Sequence, residues 1–220
     1  LPITWPKLMK AEVGEFVQTT PKWQEKRKKE WLEWSGNAIP IQSIAAVKFE
    51  YSNGKTGCID VGSVEQGKQW RTEEIGTICE LSRVVAVFVT LREKMQEDQL
   101  DILIGAGRSF FETEEFYKKY SYYEKSYRIE HEYPRIMKGT ELMAELQRNG
   151  EWAVQQSTRI YRRKFLQDNN VYYTEGQLHE DNYVTFMCMY LTDRTTAVKD
   201  VLFERRIREN SIMTQKVTHK

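Results

Sequence analysis

Tyr183-Val184-Thr185-Phe186-Met187-Cys188-Met189-Tyr190-Leu191 is apolar on both alternating faces, the pattern of a strand covered on both sides. Around it, 158–166, 171–174 and 201–207 are three further short strand-like runs, so the last quarter of the chain predicts a sheet built by hairpins. The run 201–207 also scores as a helical stripe through Val198, Val201, Leu202 and Arg205; the strand is favoured. Working toward the N-terminus, 83–91 (Arg-Val-Val-Ala-Val-Phe-Val-Thr-Leu) is a nearly continuous β-branched run and reads as a central strand, and 101–105 as a shorter one. Residues 44–51 alternate up to Asn53-Gly54, whose easy positive φ angles suit a tight hairpin, and 57–61 return.

Helices are expected as insertions. Thr20-Pro21 supplies a cap and a first-turn proline for 22–34, with Gly36 behind it. A tyrosine-crowded segment at 112–126 and a short one at 140–146, closed by Asn149-Gly150, are two more. The reading is a mainly β fold with some α content: an antiparallel sheet sandwich, jelly-roll-like, in a single domain 1–220 whose residues 1–37 form a helical arm. Trp23, Trp31 and Trp34 would lie on the sheet or on a neighbouring subunit.

Thirty-three basic residues against thirty-two acidic leave a net charge of +1, so any attraction to nucleic acid or anionic membrane must be local. Residues 21–35 are basic and 93–115 acidic, an asymmetry that head-to-tail contact between copies could use. Cys58, Cys79 and Cys188 are odd in number and sit in apolar runs, which predicts buried thiols in a reducing, intracellular compartment rather than a disulfide framework. No apolar stretch reaches membrane-spanning length, and no signal-peptide pattern opens the chain. It begins at Leu1 rather than Met, which leaves room for a flexible arm before it.

Chemistry is sparsely marked. Gly105-Ala106-Gly107-Arg108-Ser109-Phe110 lacks the third glycine of a dinucleotide loop, and turn glycines are expected there; Val64 to Lys68 lacks phosphate-loop spacing. Glu130-His131-Glu132 alternates sides if extended, His179 lies in a polar loop and His219 in a polar tail, so no metal site is predicted. No catalytic set or cofactor loop is spelled out, and the chain reads as non-enzymatic and cofactor-free. An enzyme with an unmarked site is the third reading. The positive signal is basic and aromatic interleaving: Arg159, Tyr161, Arg162, Arg163, Lys164 and Phe165, then Arg205, Arg206 and Arg208. This suits phosphates and unstacked bases, or equally a solvated face with arginine stems over tyrosines.

Arg162-Arg163-Lys164-Phe165, Asn169-Asn170-Val171-Tyr172-Tyr173, the apolar run 183–191 and Val201-Leu202-Phe203-Glu204-Arg205 together resemble the closing strands of single jelly-roll coat proteins of small circular single-stranded DNA viruses, the geminiviruses among them. The run 83–89 resembles an early buried strand of that fold. The resemblance implies two packed four-stranded sheets, a self-assembling capsid subunit and a basic surface facing the genome, located in the virion. On that reading Arg159, Arg162, Arg163, Lys164, Arg205 and Arg206 contact nucleic acid, while Trp23, Trp31 and Trp34 make subunit contacts. The alternative is a nucleic-acid-binding or adaptor domain that does not assemble.

Overall fold

The computed structural model describes residues 12–14, 16–18, 25, 28–30, 33, 42–52, 54–65, 67–176 and 179–208. It divides into two compact units, Leu1–Glu93 and Lys94–Lys220. The expected helix 22–34 is represented by Glu25, Lys28, Lys29, Glu30 and Glu33, all helical; Trp23, Trp31 and Trp34 lie outside the described residues.

In the first unit, β1 (Phe16–Gln18), β2 (Ser43–Tyr51) and β3 (Lys55–Ser63) form an antiparallel sheet in that order. The predicted hairpin is present, in register from Ser43 opposite Ser63 to Tyr51 opposite Lys55, and Gly54 turns at φ 80°. β2 buries Ile44, Ala45, Ala46, Val47 and Phe49. Beyond the sheet, 83–91 is a correction to the expected strand: it lies inside α1 (Thr72–Glu97). A continuous apolar run is the case in which periodicity cannot separate a buried strand from a helix. The helix start decides. Glu74, in the first turn, accepts the Arg71 backbone N–H at 2.9 Å, half of a capping box. That bond, together with Lys68 and the Arg71 side chain, lowers the Glu74 carboxyl to about 2. Ile78, Ser82, Leu91 and Met95 then fall on the buried face at helical spacing. Thr90 Oγ1 accepts the Ser52 N–H at 3.2 Å and Glu93 pairs with Lys55 at 2.9 Å, holding the hairpin turn to the helix.

In the second unit β4 (Ile102–Phe111) is central, antiparallel to β5 (Arg159–Tyr161) on one side and parallel to β6 (Thr195–Ile207) on the other. β6 carries the favoured strand at 201–207. The expected turn glycines sit instead within β4, where the β6 register shifts between Ile104 and Gly107. The predicted insertions appear as α2 (Glu114–Tyr120) with a 3-10 turn (Ser121–Lys125), and as α3 (Gly139–Arg148).

Three expected strands are corrected here. Residues 158–166 keep only β5 and turn into α4 (Arg163–Asp168); 171–174 carries no regular structure; and 183–191 belongs to α5 (Glu180–Leu191). Val184, Thr185, Cys188 and Met189 are the buried residues of α5, a spacing of one, three and one that a helix places on a single face. Tyr183, Phe186 and Tyr190 consequently stay exposed. With two helices where strands were expected, and with two three-stranded sheets, one of them mixed, the fold is α+β. The described residues do not form the two packed four-stranded antiparallel sheets that the coat-protein resemblance implied. The core of the second unit lies where Ile102 and Ile104 of β4 meet Leu142 and Leu146 of α3, Phe165 of α4, and Val184, Cys188 and Met189 of α5.

Candidate ligand-binding face

The residues proposed from sequence to contact nucleic acid do not form one patch. Arg159 is 8 % exposed and points inward. Its guanidinium donates to the carbonyls of Ala153 and Gln155 and lies 5.1 Å over the Trp152 ring; desolvation holds its pKa below the ordinary arginine value. Arg162 pairs with Asp101, whose second oxygen accepts the Thr192 hydroxyl at 3.0 Å. Arg163 and Lys164 are exposed on the first turn of α4, with Lys164 held 2.9 Å from Asp168. Arg205 and Arg206 stand opposite Ser109 and Phe110, whereas Arg159 stands opposite Ile104. Five residues of β4 therefore separate the two groups, about 17 Å at the rise of a strand.

Arg205 does not stand alone. Its guanidinium lies 4.3 Å over the Tyr123 ring and 5.8 Å from that of Tyr127, and donates to the Tyr127 hydroxyl at 2.7 Å. Tyr122 is 64 % exposed, its ring centroid 4.3 Å from that of Tyr123. Tyr120 and Phe116 stack behind them at 5.7 Å, with the Lys119 ammonium over Tyr120. Hydrogen bonding to Tyr123, then desolvation, raises the Tyr122 phenol, so Tyr122 is a neutral ring at ordinary pH.

Local chain geometry builds this face. Thr113 Oγ1 accepts the Phe116 N–H at 3.2 Å and starts α2 directly behind β4, and the 3-10 turn then reverses the chain toward the sheet. The Tyr127 carbonyl accepts the Gly107 N–H at 2.7 Å. A Cβ on Gly107 would meet the Tyr127 Cβ at 2.9 Å, so only glycine admits this approach. Tyr127 then meets Phe203 of β6 edge-on at 5.8 Å.

Arg205 stands out in the sequence as part of a basic cluster, whereas its tyrosine partners read there only as a tyrosine-rich insert. Nothing in a separation of 78 residues announces the pairing of Tyr127 with Arg205. Among the described residues no group of three His, Cys, Asp or Glu could hold a metal, and no helix is long and apolar enough to cross a membrane. Cys58, Cys79 and Cys188 form no disulfide among the described residues; the first two are partly buried, and full burial raises the Cys188 thiol to about 11. Comparison with protein-family models, with curated proteins and with solved structures finds no match for this chain.

Proposed function

We propose that the chain is a binding protein whose second unit takes a ligand that joins phosphate to a planar ring, a nucleotide or a short stretch of single-stranded nucleic acid, on the face of Tyr122, Tyr123, Tyr127 and Arg205. One observation carries the reading: a guanidinium stacked 4.3 Å over Tyr123 stands beside a Tyr122 ring that is 64 % exposed. A ring gives a base something to stack on, and an arginine held beside it gives the phosphate a charged donor. Arg159 is buried and Arg162 is paired with Asp101, so Arg205 bears this role, while Arg206, the next residue of β6, projects from the opposite side of the sheet.

Fluorescence anisotropy of a labelled oligothymidylate, with unlabelled mononucleotide as competitor, tests it and separates the two ligand sources. Tyr122→Ala should weaken binding by about tenfold, since a stacked base contributes roughly 1 to 3 kcal/mol. Wild-type protein that leaves the anisotropy unchanged at any concentration would end the proposal.

Self-assembly as a coat-type subunit is the second reading. What favours it is the set of large side chains kept in water, Phe110, Tyr117 and Tyr122 in the second unit and Phe88 in the first, because contacts between subunits draw on such rings. Light scattering of the purified chain distinguishes it: large closed particles, reduced in size by Trp31→Ala, belong to the coat reading alone.

A further inference from the structure

We propose that His131 and Glu151 form a general-base dyad in the second unit, with His131 Nε2 accepting the proton of a water or ligand hydroxyl. The site is separate from the aromatic face and does not rest on it.

Glu151 follows α3 and its side chain is only 6 % exposed. One carboxylate oxygen accepts the backbone N–H groups of Glu130 and His131 at 2.7 and 3.1 Å and meets His131 Nδ1 at 2.7 Å. The other accepts the Tyr133 hydroxyl at 2.6 Å, and Asn149 Nδ2 donates to that hydroxyl at 2.8 Å. Burial favours the neutral acid, but these donors outweigh it and keep the carboxyl below its ordinary value, so the group is an anion at neutral pH. An anionic carboxylate can only accept, which requires Nδ1 to carry the imidazole proton. The lone pair of neutral His131 then sits on Nε2, on a side chain 58 % exposed. A buried carboxylate that selects the tautomer and a basic nitrogen turned to solvent are the orienting and accepting halves of a base-catalysed site.

The step balances without another reagent. An attacking O–H bond breaks as the oxygen bonds to an acyl carbon, and its proton forms Nε2–H; the imidazolium is held against Glu151 until that proton passes to the departing alkoxide or phenoxide. The substrate class is an activated ester with water or an alcohol as attacking group.

p-Nitrophenyl acetate serves as the probe, beside nitrogen-15 NMR of the histidine rings. Wild-type protein should show the Nδ1–H tautomer at His131 and hydrolyse the ester at least about tenfold faster than His131→Gln, with a slower rate in heavy water. Glu151→Gln should lose both the tautomer preference and the rate. His131→Gln leaves the Tyr133 and backbone donors on Glu151, so it remains folded and serves as the reference if Glu151→Gln does not. Hydrolysis by wild-type no faster than by His131→Gln would reduce the pair to a staple between two loops, as would an Nε2–H tautomer at His131.

Discussion

At the scale of single residues, the buried guanidinium of Arg159 organises the loop 151–158 by occupying the carbonyls of Ala153 and Gln155. Arg159→Met keeps the volume and removes the donors. The Gln155 carbonyl keeps the Thr158 hydroxyl at 2.8 Å, so the Ala153 carbonyl alone is left without its donor, and roughly 1 to 3 kcal/mol should be lost in urea denaturation. Arg159→Lys should recover little, because one ammonium lacks the fork that reaches both carbonyls. A loss below about 0.5 kcal/mol would mean that the loop is held by other bonds. Gly139, at the start of α3, is a second such position. A Cβ there would fall 2.1 Å from the Met189 carbonyl oxygen, and backbone cannot step aside as a side chain can. Gly139→Ala should therefore cost at least about 2 kcal/mol, measurable in the same denaturation series. The role of Gly139 is not visible in the local sequence, since it depends on Met189, fifty residues along the chain.

At the scale of elements, α1 and α5 were misread for one reason. Short runs dense in valine, phenylalanine, methionine and threonine satisfy both periods, and β-branching tips the balance toward strand. The caps held the missing information: Glu74 reaching back to Arg71, and Glu180 and Asp181 at the positive end of α5. The helical assignment changes what mutations should do. As buried strand residues, Phe88 and Phe186 would each cost about 3 to 5 kcal/mol on truncation to alanine. They are instead 43 % and 46 % exposed, so each truncation should cost under about 1.5 kcal/mol, whereas Leu142→Ala, with its side chain fully buried, should cost about 2 to 5 kcal/mol. Equal losses at all three sites would contradict the helical faces. The segment 130–133 also has a pH signature. The folded state lowers the Glu151 carboxyl below 4.5, so its contribution is fully present above that value and is lost as pH falls through the lower folded pKa. Below pH 4.5 the stability of Glu151→Gln should fall less steeply than that of wild type, as thermal melts across an acid series would report.

Over the whole molecule, a net charge of +1 leaves no long-range field to draw a polyanion, and the proposed face offers one arginine, Arg205. Oligonucleotide binding should accordingly show a shallow salt dependence. One neutralised phosphate on a single strand gives a slope near about −0.7 when the logarithm of the association constant is plotted against that of salt, and removing Arg205 should all but abolish it. A slope several times steeper would place the contacts elsewhere, in a basic segment such as 22–29. Local chemistry was enough to determine the 44–61 hairpin, the strands at 101–105 and 201–207, and the short helices at 112–126 and 140–146, because turn residues, caps and alternation act within a few positions along the chain. Tertiary structure alone decided which apolar runs became helices, that Arg162 pairs with Asp101 while Arg205 meets Tyr123 and Tyr127, and that Glu151 grips His131. Those side-chain contacts join residues 20 to 82 positions apart, which only the folded chain brings within hydrogen-bond or ring-contact distance.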